Sequence, residues 1–172
     1  MLEITSTPLV IMAILGTVGI LLPIISIVRK EKGSNSFYAV IAFAALIVSM
    51  GYVGYQFLNE NVAPAALFSE DVIVDDAFGG LFAIAMLVVA LFTTVGSFNY
   101  MRKHNSPAVY YSLILLATIG MVLVAYSTDL VMLFVAWELM SIPTYVLVGF
   151  MKRNPSSNEA ALKYFLFGAL SS

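Results

Sequence analysis

Charged residues are scarce in this chain of 172 residues, where they make up 10% of the total, against about 25% in ordinary soluble domains. Hydrophobic residues make up 61%, and the mean hydropathy is +0.98. A soluble domain of this size needs more polar groups to cover its surface, so we predict an integral membrane protein. The apolar content excludes intrinsic disorder. A formal net charge of -2 without a basic patch argues against a nucleic-acid partner.

Cysteine is absent, and His104 is the single histidine. The lack of cysteine excludes disulfides, iron–sulfur ligation and thiolate metal sites. One histidine cannot form a histidine metal cluster. We therefore expect this chain to bind no metal and no cofactor, and its chemistry to use carboxylates, lysines, hydroxyls and water.

Long apolar runs recur along the chain at the length that a helix needs to cross a bilayer, about 20 residues. They predict an all-α membrane protein with six transmembrane helices in a single domain, residues 1–172, with no linker. The predicted helices span approximately residues 9–28, 37–58, 77–98, 108–126, 130–151 and 158–172. The last run is too short to cross the bilayer comfortably, so we expect that helix to be truncated.

The loops between these runs differ in charge. All basic residues except Lys163 fall in the first, third and fifth loops, whereas the second loop, residues 59–76, carries several carboxylates and no Lys or Arg. By the positive-inside rule, the odd-numbered loops are cytoplasmic and the N-terminus is outside.

Helix-capping residues follow several of the loops. Asp129 is placed to cap the fifth helix, and Asp75 and Asp76 precede the third helix, where they favour its dipole. Ser156 and Glu159 fit a capping box at the start of the sixth helix.

Glu138 is the one charged residue inside the fifth apolar run. It lies about eight residues from the outer end of that run, or roughly 12 Å along the helix axis. A charge near the middle of the bilayer costs about 2.5 to 3.5 kcal/mol on insertion scales, so such a residue marks a candidate functional site. The alternative is a neutral, hydrogen-bonded carboxylic acid that stabilises helix packing.

Polar groups accompany Glu138 on the same predicted helix face. Ser141 and Tyr145 follow it at three and seven residues. Pro143 lacks a backbone N–H and so leaves the carbonyl of Leu139 without its helical partner. We therefore predict that these groups support a short chain of waters beside the carboxylate. A simple packing kink also explains Pro143.

Lys163 in the sixth helix is the second candidate. Glu159 precedes it by four residues, the favourable order for a helical ion pair, and its long side chain can also extend toward the interface. The sequence leaves a functional role and an interface anchor equally open. Glu138 and Lys163 lie at different predicted depths, so we expect a water-mediated link between them rather than a direct salt bridge.

Residues 137–172 read WELMSIPTYVLVGFMKRNPSSNEAALKYFLFGALSS. This segment resembles the antiporter-like membrane subunits of respiratory complex I, most closely the N-type subunit, and within that family the archaeal version that oxidises a reduced deazaflavin, coenzyme F-420. The family carries an intramembrane glutamate followed by a basic turn and an E-A-x-x-K-Y helix. The matching residues are Glu138, Ser141, Pro143, Tyr145, Glu159, Ala160, Lys163 and Tyr164.

The resemblance implies a proton-translocating subunit of an NADH or deazaflavin dehydrogenase in a prokaryotic plasma membrane. Glu138 and Lys163 would form the proton relay, with Ser141, Pro143 and Tyr145 in support. Flavin, iron–sulfur clusters and a quinone-type acceptor would belong to partner subunits of the assembly. Family members are larger bundles with inverted repeats, so we expect this chain to be the N-terminal part of a longer subunit.

Two other functions remain open from the sequence. The same module serves cation/proton antiporters and membrane-bound hydrogenases, which would show cation-dependent exchange without a quinone-type acceptor. A structural scaffold would move no protons, and it would tolerate apolar replacements at both Glu138 and Lys163.

Overall fold

A computed structural model describes residues 6–29, 35–58, 65–67, 72–102 and 106–171. His104 and the final residue of the sixth predicted helix lie outside these ranges. The described residues form six helices: α1 Thr7–Arg29, α2 Asn35–Leu58, α3 Ala77–Met101, α4 Pro107–Tyr126, α5 Leu130–Val148 and α6 Pro155–Ser171.

The predicted helical membrane fold is confirmed. Helices α1 to α5 are each long and apolar enough to cross a membrane. Their bounds agree with the expected ones to within a few residues, apart from the turn between α5 and α6. Helix α5 ends at Val148, three residues earlier than predicted, and α6 begins at Pro155, also three residues earlier.

Helix α4 is the centre of the bundle and packs against α1, α2, α3 and α5. Its side chains Tyr111, Leu115 and Val122 are fully buried. Small and hydroxylated residues allow close approach: the Ser112 hydroxyl donates to the Gly19 carbonyl of α1 at 2.5 Å. Such contacts are typical of membrane helices, which associate through packing and hydrogen bonds rather than through the hydrophobic effect.

A small hairpin lies between α2 and α3, which the all-helical prediction missed. Strand β1, Ala65–Leu67, pairs antiparallel with strand β2, Ile73–Asp75. The β-branched residues just before Asp75 favour an extended strand. Ile73 also forms a bridge with Ser127, in the turn between α4 and α5. The hairpin therefore joins two loops at one end of the bundle. We call this end the hairpin end. The opposite end carries Arg29 and Arg102, and we call it the basic end.

The predicted cap at Asp129 is confirmed, and Asp76, predicted as a partner of the α3 dipole, also caps its helix. Asp76 accepts a hydrogen bond from Gly79 N at 2.7 Å at the start of α3. Asp129 accepts from Val131 N at 2.8 Å and from Met132 N at 3.2 Å at the start of α5.

The predicted capping box at Ser156 is wrong. Asn154 caps α6 instead, because its side-chain oxygen accepts from Ser156 N at 3.0 Å. Pro155 is the first residue of the helix, the position where its missing N–H costs nothing.

Candidate functional site

Glu138 lies on α5, two turns in from the hairpin end, and its side chain is partly buried. Among the described residues it has no hydrogen-bond or ion-pair partner. No partner therefore fixes the side chain, and the protein covers part of it. A carboxylate at this depth without a partner is costly, which distinguishes it from an ordinary packing residue.

Helix α5 packs against α4 through the face opposite Glu138. The contact centres on Gly120 of α4, where a Cβ atom would overlap the backbone of Met140. Ala136 on this face is fully buried. Such close contact fixes the rotation of α5 about its axis, and this rotation turns Glu138 away from α4.

Ser141 and Tyr145 share the face of Glu138, as their spacing predicts. Ser141 is buried at 5% exposure, and its backbone carbonyl accepts a hydrogen bond from the Thr144 hydroxyl at 2.7 Å. Pro143 is buried, and α5 remains helical across it. The three predicted supporting residues therefore lie within two turns of the carboxylate, and two of them line the same side of the helix.

Helix α6 packs antiparallel on this face of α5. The Tyr145 ring contacts the rings of Tyr164 and Phe165, with centroids 5.0 and 5.6 Å apart. A Cβ atom at Gly149 would lie 3.0 Å from the Cβ of Ala161. With this register, Tyr145 lies level with the last two turns of α6. Glu138, about 10 Å further along α5, lies beyond the level that Ser171 reaches.

Lys163 forms an ion pair with Glu159, with Nζ and Oε1 2.5 Å apart. Both side chains are about two-thirds exposed, at 64% and 65%. The pair has the i, i+4 spacing that the sequence predicts. By the antiparallel register, Lys163 lies level with the last turn of α5, roughly 15 Å along the axis from Glu138. The structure therefore does not bring the two candidate residues into contact.

The described residues contain no group of three or more His, Asp or Glu side chains that could hold a metal ion. The candidate site on α5 and α6 thus consists of a carboxylate, two hydroxyls and a separate lysine–glutamate pair. These groups can accept and donate protons.

Asp75 and Tyr126 at the hairpin end were not singled out for function by the sequence. The sequence assigned Asp75 to the dipole of α3, but its carboxylate is 5% exposed and accepts a hydrogen bond from Thr7 N of α1 at 2.6 Å. The signal for its burial was present in the apolar β-branched residues before it. Its contact with α1 joins residues far apart in the sequence, so no local sequence pattern predicts it.

Comparison with known proteins identifies similar membrane subunits. Residues 127–172, which contain Glu138 and Lys163, match the family described as NADH:quinone oxidoreductase/Mrp antiporter, TM. NADH-quinone oxidoreductase subunit N 1 of Koribacter versatilis is 40% identical over 158 residues, which are 90% of this chain and 31% of that protein.

A methanogen protein and a solved structure are also similar. F(420)H(2) dehydrogenase subunit N of Methanosarcina mazei is 36% identical over 128 residues, which are 74% of this chain and 26% of that protein. A chain of the respiratory complex I of Thermus thermophilus with bound aureothin superposes with a TM-score of 0.72 and 27% identity, over 93% of this chain and 33% of that one. The chain thus spans between about a quarter and a third of the length of these three relatives.

Proposed function

Because this chain belongs to the family of N-type membrane subunits of NADH-quinone oxidoreductase, we propose that it is part of a proton-translocating subunit of such a complex. The complex would couple electron transfer, from NADH or a reduced deazaflavin to a quinone-type acceptor, to proton movement across the membrane. The observation that carries the proposal is Glu138, a partly buried carboxylate without a partner among the described residues.

Glu138 serves as the site that takes up and releases a proton. Its carboxylate has no fixed partner to compete with the proton, and the hydroxyls of Ser141 and Tyr145 lie on the same face of α5. Pro143 leaves the carbonyl of Leu139 free to accept a hydrogen bond from water. Water held by these groups gives a proton a path along α5 that the apolar side chains around it do not offer.

Lys163 acts at a distance from Glu138. Roughly 15 Å of helix separates them, so protons pass between the two through water or through further residues. Movement of Glu159 away from Lys163 would free the positive charge of the lysine and change the field along the path. The ion pair is thereby suited to respond to a conformational change.

Redox chemistry belongs to partner subunits in this proposal. The chain has no cysteine to ligate an iron–sulfur cluster, and flavin, clusters and the quinone-type acceptor are assigned to other subunits. The role of this chain is to move protons while electrons move elsewhere.

Replacement of Glu138 by Gln in the assembled complex tests the proposal. Gln keeps the size and polarity of the side chain and removes the titratable proton. We expect Glu138→Gln to lose most proton pumping, by a factor of about ten or more, while the complex still assembles. The measurement is the acidification of inverted membrane vesicles that are supplied with electron donor and acceptor.

Asp129→Asn is the matched control, because it makes the same chemical change on the same helix. Asp129 caps α5 at its exposed start, and Asn retains a capping oxygen. Pumping should remain at the parent level in this control. Undiminished pumping in Glu138→Gln would contradict the relay and favour a structural scaffold.

A cation/proton antiporter or a membrane-bound hydrogenase is the second candidate, favoured by the antiporters that the matched family includes. Vesicles without electron donor separate the two functions. Sodium- or potassium-dependent proton exchange that is lost in Glu138→Gln would favour the antiporter. The proposed dehydrogenase subunit predicts proton movement only while electrons are transferred.

A further inference from the structure

A second polar region lies at the hairpin end, away from Glu138. It is a cavity of about 460 Å³ between the start of α1, the end of α2 and the start of α3. Its polar lining includes Gln56, Asp75, Asp76 and Tyr126, and the aromatic ring of Phe57 forms part of its wall.

The side chains that line this cavity present hydrogen-bond acceptors. Asp75 Oδ2 and Asp76 Oδ1 each accept one backbone N–H, at 2.6 and 2.7 Å, which leaves the second oxygen of each carboxylate. The Gln56 amide nitrogen donates to the Tyr52 hydroxyl at 3.3 Å, so its carbonyl oxygen remains to accept. These oxygens favour a ligand that brings hydrogen-bond donors.

Tyr126 supplies an independent indication of a ligand. Its side chain is 2% exposed, and its hydroxyl has no hydrogen-bond partner among the described residues. A buried hydroxyl without a partner costs about 1 to 3 kcal/mol. The hydroxyl lies beside Gly80, which also lines the cavity, and a ligand there would satisfy it.

Positive charge is missing from this region. The described residues that line the cavity include two aspartates and no Lys or Arg, and residues 59–76 of the sequence contain no Lys or Arg either. Two adjacent carboxylates, one of them buried, are costly without a cation.

The dimensions of the cavity select the kind of cation. A volume of about 460 Å³ is many times the roughly 30 Å³ that one water occupies. A cavity of this size is too wide for its walls to contact a bare alkali ion on several sides. The ring of Phe57 in the wall, which is 49% exposed, favours a weakly hydrated organic cation through cation–π attraction. We propose that this cavity binds an ammonium or guanidinium group, with Asp75 and Tyr126 as its main ligands.

A basic side chain from another protein segment fits better than a lipid headgroup. An aminophospholipid would bring a phosphate next to its ammonium, and the carboxylates of Asp75 and Asp76 would repel that phosphate. A Lys or Arg side chain brings no anion. This assignment of the source, though not the site itself, rests on the proposed place of the chain in a multi-subunit complex.

Thermal unfolding of the full chain in phosphatidylglycerol nanodiscs tests the site, with methylammonium chloride replacing sodium chloride at constant ionic strength. We expect the unfolding midpoint to be about 2 to 4 °C higher in methylammonium. Asp75→Asn keeps the acceptor for Thr7 N but removes the charge, and it should abolish the difference. The Asp129→Asn control, whose aspartate lies outside the cavity, should keep it.

Tyr126→Phe provides a second variant in case Asp75→Asn does not fold. It removes only a hydroxyl that has no partner, so the midpoint in sodium should be unchanged or higher, and the methylammonium response should shrink. Equal midpoints in the two salts for the parent chain, or an undiminished response in both variants, would overturn the site. Neither result depends on Glu138 or on pumping.

The source of the cation is tested by two further arms. The assembled complex should show no methylammonium response, because a side chain already fills the cavity. A response as large as that of the separate chain would overturn this source. A higher midpoint in phosphatidylethanolamine than in phosphatidylglycerol, dependent on Asp75, would assign the cavity to a lipid headgroup instead.

Discussion

Charged residues inside this bundle differ in whether a neighbouring side chain pairs with them. Glu138 has no partner within the described residues, whereas Lys163 and Glu159 satisfy each other. Residue type and spacing were enough to single out all three from the sequence. The hydrogen bond that Asp75 accepts from Thr7 N was not foreseen, because the two residues are 68 positions apart in the chain.

Gly120 is a further residue whose importance becomes visible only in the packed bundle. A methyl group there would overlap the backbone of Met140, and backbone atoms cannot rotate away. We expect Gly120→Ala to destabilise the packing of α4 on α5 by about 1 to 3 kcal/mol. Thermal unfolding of the chain in nanodiscs measures this loss.

Gly96→Ala is the matched control. A Cβ atom at Gly96 meets no described atom within 4 Å, and alanine is favoured over glycine in helices by about 1 kcal/mol. Its unfolding midpoint should therefore be unchanged or higher. Equal effects of the two substitutions would mean that α4 and α5 are not packed as described.

At the scale of single elements, helix existence was easier to predict than helix ends. Apolar runs of about 20 residues fix where a helix can cross a membrane, and all six expected helices are present. The turn between α5 and α6 was shifted, because both Asn154 and Ser156 are good capping residues. The sequence alone does not decide between two such residues.

The start of α6 gives a prediction at this scale. Asn154→Ala removes the oxygen that accepts from Ser156 N, and loss of an N-cap costs about 1 kcal/mol. We expect amide hydrogen exchange in the first turn of α6 to become about five-fold faster, as followed by mass spectrometry.

Ser156→Ala separates the observed cap from the one that the sequence predicted. The Ser156 hydroxyl has no hydrogen bond in the described structure, so this substitution should leave exchange in the first turn nearly unchanged. Faster exchange in Ser156→Ala than in Asn154→Ala would restore the capping box.

For the whole molecule, the sequence predicted the membrane class and the helix order, and the structure added the arrangement of the bundle. Composition and apolar runs depend only on local sequence, and they were sufficient for the helices. The central position of α4 depends on contacts such as Ser112 with Gly19, which join distant residues. The short hairpin and the cavity beside Asp75 depend on such contacts in the same way.

The distribution of charge over the two ends of the bundle predicts the orientation of the chain in the membrane. The basic end, where α1, α3 and α5 end, carries four basic residues: Arg29, Arg102, Lys152 and Arg153. The hairpin end carries Asp75, Asp76 and Asp129 instead. The positive-inside rule therefore places the basic end in the cytoplasm and the start of α1 outside.

Single-cysteine variants measure this orientation directly, because the chain has no cysteine of its own. Leu130 at the hairpin end is 81% exposed, and Ser106 at the basic end is exposed and makes no side-chain cap. A membrane-impermeant maleimide added to intact cells should label Leu130→Cys and leave Ser106→Cys unlabelled until the membrane is opened. Labelling in the reverse order would place the acidic hairpin in the cytoplasm, and the distribution of basic residues would then not determine the topology of this chain.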